Sequence, residues 1–268
     1  DAGSHDRLFA AAAEVKDALE IDVPISLYQG TGQHRNAALV YTPDEVNIMF
    51  EGETLEILSD AELRCLLGHE MAHHLHKTRE DGRYFTADRM LNWICGENGA
   101  HQAHLRSLWL SQIYQEIFAD RVGLMICGDR DAAISLLIKV GSGLKNFSVE
   151  TYLEQAAEAL DLNKKDGSQG GSHPETYIRA IALADWAKDK RAADVRLPEL
   201  VEGDDRIERL DLLAQRKLTD LTRAVIQHFI TARWGQSEDV EAHARAFFPD
   251  FDTTFIPPSD TALNALCE

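Results

Sequence analysis

Basic residues are scarce. The 27 lysines and arginines stand against 45 aspartates and glutamates, a formal net charge of -18 over 268 residues. Phosphate backbones and anionic headgroups are held by clustered lysine and arginine, so no nucleic-acid partner and no docking on anionic lipid is expected. Cysteine is also scarce: Cys65, Cys95, Cys127 and Cys267 form no CxxC pair and no dense framework. Free thiols in a reducing compartment are the simplest reading, with two disulfides as the alternative. No stretch reaches the roughly 18 consecutive apolar residues of a membrane helix, so no integral membrane segment is expected. The first residues, Asp1 to Asp6, lack the basic-then-apolar pattern of a signal peptide. The expected compartment is therefore the cytoplasm, or the periplasm or exterior if a signal peptide has been removed. Internal repeats are absent.

What is present is enough apolar residue, 44 %, to bury a core. Helical spacing covers 7–20. Strand-like stretches follow at 25–28, 37–41 and 46–50, the last two separated by the Thr42-Pro43-Asp44-Glu45 turn. Ser59 and Glu62 make a capping box that starts a helix running to about Lys77. Residues 78–104 carry three glycines and read as shorter pieces. Further helices are expected at 105–127, 130–140, 148–161, 174–190, 204–233 and 237–247, before an irregular aromatic tail from Phe247 to Pro258. The polar stretch 163–172 reads as a flexible loop. The expected fold class is α+β, mainly α, with a small antiparallel sheet of three strands beside the helix that starts at Ser59. Residues 1–194 are expected to form one domain and 195–268 a helical extension packed on it or regulating it.

That helix contains His69-Glu70-Met71-Ala72-His73, an HExxH sequence. Residues four apart share a helix face, so both imidazoles can point at one metal ion. Glu70 lies about 100° around the axis and can reach a metal-bound water without being a ligand. A catalytic zinc site takes a third protein ligand and keeps its fourth position for water. The strongest candidate for that ligand is Glu116, on a second helix. Asp120, four residues on, can accept the remaining ring N–H of a ligand histidine and fix its tautomer. Ile113, Ile117 and Leu124 surround this pair with apolar residues, which weighs against a merely solvated helix face.

HExxH followed by a distant ExxxD is the gluzincin pattern. The form Glu116-xx-Ala119-Asp120-Arg121-xx-Gly123-Leu124 resembles the HtpX and CAAX prenyl endopeptidase family of zinc peptidases. Two further pieces resemble that family in the same order, Asn36-Ala37 upstream and His173-Pro174 with Arg179 downstream. The resemblance covers roughly residues 30–190. It implies one zinc ion per chain, held by His69, His73 and Glu116, and hydrolysis of peptide bonds in protein substrates by a metal-activated water with Glu70 as general base. It also implies an edge strand at Asn36 and Ala37 that pairs with the substrate backbone, His173 as an oxyanion donor and Arg179 as the residue that orients the site. Many relatives carry membrane helices between the two motif helices. Here the interval 78–110 is polar, so a membrane-embedded or prenylated substrate is not carried over. Residues 195–268 match no part of the family's pattern. A regulatory partner is one expectation for them, and occupation of the cleft by the 247–258 tail is the other.

The remaining candidates have plainer readings. His74 faces the Leu63/Leu67 side of its helix and is expected in the core. His76, three residues past His73, is expected at the surface, with the cleft rim as the alternative. His101 and His104 have metal-like spacing but no third ligand nearby. Trp93, Trp109 and Trp186 are expected to pack in the interior.

Overall fold

The computed structural model describes residues 5–97, 99–163, 166–204, 206–230 and 237–251. The 252–258 part of the aromatic tail and Cys267 lie outside them. Contacts group the chain into two compact units: Asp1–Ala100 with Leu108–Arg206, and His101–Ser107 with the chain from Ile207 onward.

The first unit is built on α1 (Asp6–Ala18), three strands, a short α2 (Thr54–Ile57), and the helices α3 (Asp60–Gly96), α4 (Gln102–Cys127, from Leu108), α5 (Arg130–Ser142), α6 (Val149–Asn163), α7 (Thr176–Lys188) and α8 (Lys190–Glu202). The fold is α+β and mainly α, as expected. The strands are β1 (Ile25–Gln29), β2 (Asn36–Thr42) and β3 (Glu45–Glu51), in the order β1-β3-β2. One detail differs from expectation: β2 and β3 pair antiparallel, but β1 and β3 pair parallel. The turn at residues 42–45 makes a hairpin of β2 and β3, in which the Thr42 hydroxyl donates to the Glu45 carbonyl at 2.8 Å. β3 then inserts between the two earlier strands, so β1 meets a neighbour running its own way. Alternation along a strand reports which face is buried and says nothing of strand order.

β3 is central, and its Val46, Ile48 and Phe50 are fully buried. They meet the apolar stripe Leu63, Leu66, Leu67 and Met71 of α3, together with Leu8, Ala12 and Val15 of α1 and Ile134 and Ile138 of α5, in one core. The capping box is formed in full. The Ser59 hydroxyl accepts from Glu62 N–H, and the Glu62 carboxylate accepts from Ser59 N–H at 2.7 Å. The same carboxylate accepts from Lys139 at 2.8 Å, which ties the start of α3 to α5.

α3 breaks after Thr78. Glu80, Asp81 and Gly82 take left-handed φ of 51°, 56° and 71°. Only the glycine does so without steric cost; the two acidic residues store about 1–2 kcal/mol each. None of residues 83–97 is buried, so Trp93 is 69 % exposed and not a core residue. The break detaches its helical segment from the stripe that reaches the core. Trp109 and Trp186 are partly buried against the two main clusters. α8 was not expected. It begins at Asp189, whose side chain accepts from Ala192 N–H, and it carries Pro198 inside it, where the missing N–H weakens the helical signal. The first unit thus runs past residue 194.

The second unit contains a 3₁₀ turn (Ile207–Arg209), α9 (Leu212–Ile230) and α10 (Glu238–Phe247). Ile230, Ala244 and Phe251 form its small core.

Candidate metal centre

The first turns of α3 project Cys65, Leu66 and Leu67 inward, and the next turns project His69 and His73 on one side. α4 crosses α3 closely. A Cβ on Gly68 would lie 3.1 Å from Ile126 Cβ, and one on Gly123 would lie 2.7 Å from the Cys65 carbonyl oxygen. Two glycines at one crossing let the helices approach, and that approach brings Glu116 to the histidines. His69 Nε2 lies 3.3 Å from His73 Nε2 and 3.5 Å from Glu116 Oε2, and His73 Nε2 lies 3.5 Å from Glu116 Oε1.

These residues fit a divalent cation. Four-coordinate zinc at 2.0–2.1 Å from each ligand requires ligand atoms about 3.3–3.4 Å apart, close to the spacing found. Glu116 Oε2 is buried and has no hydrogen-bond partner among the described residues, an acceptor left for something else to satisfy. Two imidazole nitrogens and a carboxylate oxygen are also a zinc-type donor set. Among the described residues His69, His73 and Glu116 are the group placed to hold a metal. His101 and His104 are not part of one: His101 N–H donates to His104 Nδ1 at 3.1 Å.

Behind the cradle is a buried polar network. His69 Nδ1 donates to Asp120 Oδ1 at 3.0 Å, which aims Nε2 at the cradle. Arg179 of α7 grips Asp120 with two bonds, Nε to Oδ2 at 2.7 Å and Nη2 to Oδ1 at 2.6 Å. Its Nη2 also lies 3.6 Å from Glu116 Oε2. Burial alone would lower His69, but its bond to Asp120 and the nearby Glu116 carboxylate outweigh that and lift it to about 10. Burial and the neighbouring His69 charge push His73 down to about 3. Burial would raise Glu116, yet His69, Arg179 and His73 hold it below the usual carboxylate range. Burial likewise opposes ionisation of Asp120, and the Arg179 charge overrides it. Without a metal, a proton on His69 and the Arg179 charge stand against the Glu116 and Asp120 carboxylates.

Glu70 is buried beside this cluster. Burial raises its carboxyl to about 7, against the pull of the His69 charge and of a hydrogen bond from Leu39 N–H. That bond shows the direction of the β2 edge. Ala37 and Leu39 are two apart, so both turn N–H and C=O to the side away from β3. Asn36 and Ala37 line the same cleft as His69, Glu70, Glu116, His173 and Arg179, a hollow of about 500 Å³. His173 reaches in from above, with Nε2 3.4 Å from Glu116 Oε2 and 58 % of its side chain exposed. Burial shifts it below its ordinary value. His74 sits on the opposite side of α3, buried, with its ring 5.9 Å from that of Tyr41, as expected of a core residue. His76 is half-buried and stacks on Tyr84 at 5.1 Å.

All nine residues singled out in the sequence gather here. Several others were missed. The stretch before His173 is tied down where a flexible loop was expected. Glu175 accepts from the Ser168 hydroxyl at 2.7 Å and from Gln169 N–H at 2.8 Å, and Trp109 Nε1 donates to the Gly170 carbonyl at 2.7 Å. The hydroxyl of Ser172 lies 2.8 Å from His173 Nδ1. Leu66, Leu136, Leu137 and Val140 make an apolar wall of the cleft, and Arg35 and Lys77 add positive charge to its lining. The α5 residues carry no chemical signature in the sequence, and only packing brings them to the cleft.

A family model described as Peptidase family M48 matches residues 31–187, more than half of the chain. The chain is similar to Plastoglobule-localized metallopeptidase 48, chloroplastic, of Arabidopsis thaliana, with 25 % identity over 204 residues. That alignment covers 68 % of this chain, which spans 57 % of the relative's length. No solved structure matches the chain.

Proposed function

The chain belongs to peptidase family M48, and from that premise we propose that it is a zinc-dependent endopeptidase that cuts protein substrates bound in extended form along β2. The observation that carries this reading is the three-atom cradle of His69, His73 and Glu116, spaced as zinc requires and open to a cleft that also holds Glu70. We infer the HtpX and CAAX prenyl endopeptidase type within that family from the resemblance of the sequence pattern; no helix among the described residues is long and apolar enough to cross a membrane. We assign catalysis to residues 1–194. The part of the extension beyond α8 is the segment for regulation, by a partner or by the chain itself.

His69, His73 and Glu116 would hold the metal, which when bound supplies Lewis-acid polarisation of the scissile carbonyl and water acidified toward a pKa of about 7. Glu70 takes the proton of the attacking water on its carboxylate and passes it to the leaving amine. A base with a pKa near 7 is suited to both transfers. Ala37 offers N–H and C=O to the substrate backbone, and Asn36 stands at the entrance of that edge. With the Ser172 hydroxyl donating to Nδ1, 2.8 Å away, His173 would carry its proton on Nε2, facing the cleft, where it can bond to the oxyanion. Arg179 acts through Asp120 as a positioning residue, holding the acceptor that orients His69.

The test is the pair Glu70→Gln and Glu116→Ala. The first should retain zinc and lose about 100- to 10,000-fold in hydrolysis of casein or a peptide library. The second should lose zinc by elemental analysis. A Glu70→Gln protein that cuts at the original rate, or a Glu116→Ala protein that keeps its full zinc, refutes the reading.

A further inference from the structure

Cys65 and Cys127 lie on the two helices that carry the metal cradle, and hydrolysis gives neither a task. Cys65 is one turn before His69 in α3 and 3 % exposed. It sits in the helix crossing: a Cβ on Gly123 would lie 2.7 Å from its carbonyl oxygen and 3.1 Å from its Sγ. Cys127 is four residues beyond Gly123 and so shares that face of α4. The two thiols are near enough to shift each other's ionisation. Cys127 is the last residue of α4 and half-buried, so small molecules can reach its sulfur, while Cys65 behind it is closed off. Cys95 lies on the far segment of α3, beyond the break at 79–82.

The two sulfurs differ in character. The neighbouring Cys65 thiol, against burial, brings Cys127 down to about 7, and the Cys127 thiol itself lies 3.4 Å from the Asp129 carbonyl. This occurs at a helix C-terminus, where the helix dipole itself opposes an anion. Cys127 and burial push Cys65 well above the usual thiol range. A reachable thiolate beside a shielded thiol is the arrangement of an oxidisable pair, one attacking and one resolving.

We propose that Cys127 and Cys65 form a dithiol that a hydroperoxide oxidises to a disulfide, clamping α3 to α4 beside the metal cradle. The Cys127 thiolate attacks one peroxide oxygen. An S–O bond forms, the O–O bond breaks, and the leaving alkoxide or hydroxide takes a proton from solvent. The Cys65 sulfur then attacks the Cys127 sulfur. The S–S bond forms, the S–O bond breaks, and the hydroxyl leaves with the Cys65 proton as water. The two thiols supply two electrons, and the peroxide accepts them. Because Cys65 lies at the Gly123 crossing and Cys127 one turn further along the same face of α4, closure draws on the two side chains and leaves His69 and Glu116 in place.

The experiment uses the full chain treated with hydrogen peroxide, then alkylated, digested with trypsin and mapped by mass spectrometry. The expected product joins the peptide 65–77 to the peptide 122–130, and a dithiol reductant reverses it. The oxidised chain should melt at a higher temperature than the reduced chain, because the link restrains the unfolded state. Cys127→Ser, at a half-exposed position, should fold and yield no linked peptide. Cys65→Ala should stop at a Cys127 sulfenic acid that a dimedone-type probe captures. Oxidation of Cys127 to the sulfinic acid with Cys65 still alkylatable, or a link from Cys127 to Cys95, overturns the proposal. A link that forms but lowers the melting temperature overturns it too, since the thiols would then have been dragged together. None of these readouts depends on peptidase activity.

Discussion

Replacing Asp120 by asparagine changes one oxygen for an NH₂ and almost no volume, yet it should weaken both the metal site and the fold. Asp120 is buried and accepts three hydrogen bonds, two from Arg179 and one from His69. Asparagine keeps one acceptor, and its NH₂ must face either the guanidinium or His69 Nδ1–H, donor against donor. If it faces His69, the imidazole loses the bond that fixes its tautomer, a change that typically costs about 10- to 100-fold in metal affinity, or about 1.4–2.7 kcal/mol. Removing the negative charge also leaves Arg179 with Glu116, 3.6 Å away, as its one ion pair among the described residues, and its side chain is just 14 % exposed. An uncompensated buried charge costs about 3–5 kcal/mol, which in a chain of this size lowers the melting temperature by about 6–20 °C. Competition against a chromogenic zinc chelator measures the first effect, and melting of the metal-free protein the second. Unchanged zinc affinity together with an unchanged melting temperature would refute the assignment of Asp120 as the shared acceptor of His69 and Arg179.

Further outcomes follow from the same contacts. His173→Ala should lower kcat and kcat/KM together by about 100-fold at most, given the exposure of the ring, with zinc content and melting temperature unchanged; steady-state kinetics check it, and a change in KM alone would remove the oxyanion role. Lys139→Met strips the buried Glu62 of its cationic partner and should cost about 3–5 kcal/mol at neutral pH. Burial would raise Glu62, but Lys139, Ser135 and Ser59 hold it below its ordinary 4.5. Its stabilising contribution is therefore complete above pH 4.5 and fades as pH falls through the lower folded value, so the gap between variant and parent should narrow in acid, as denaturant unfolding at the two pH values will show. Gly123→Ala would set a methyl group 2.7 Å from the Cys65 carbonyl oxygen and should destabilise by about 1–3 kcal/mol; a melting temperature equal to the parent's would mean that the helices do not cross so closely.

Local chemistry was legible in the sequence. HExxH on a capped helix places two imidazoles on one face whatever the rest of the chain does, because helical period and backbone hydrogen bonding act over a few residues. Glu116 and Asp120 share a face for the same reason. The resemblance added His173, Arg179 and the Asn36–Ala37 edge, which no local periodicity links to the cradle. Tertiary structure decided the rest. His69 finds Asp120 only because Gly68 and Gly123 let two helices touch. β1 runs parallel to β3 because the second strand of the hairpin lies between β1 and β2, and alternation carries no information about order. The stretch before His173 looked flexible from its composition, yet Glu175, Val201 and Trp109 tie it down through bonds to groups as many as 61 residues away. The thiols of Cys65 and Cys127, far apart in the chain, come to the same helix crossing. The sequence by itself determined which residues could bind a metal and move a proton. Only long-range packing decided which of them share a cavity, because such contacts depend on the shape of both surfaces and not on spacing along either one.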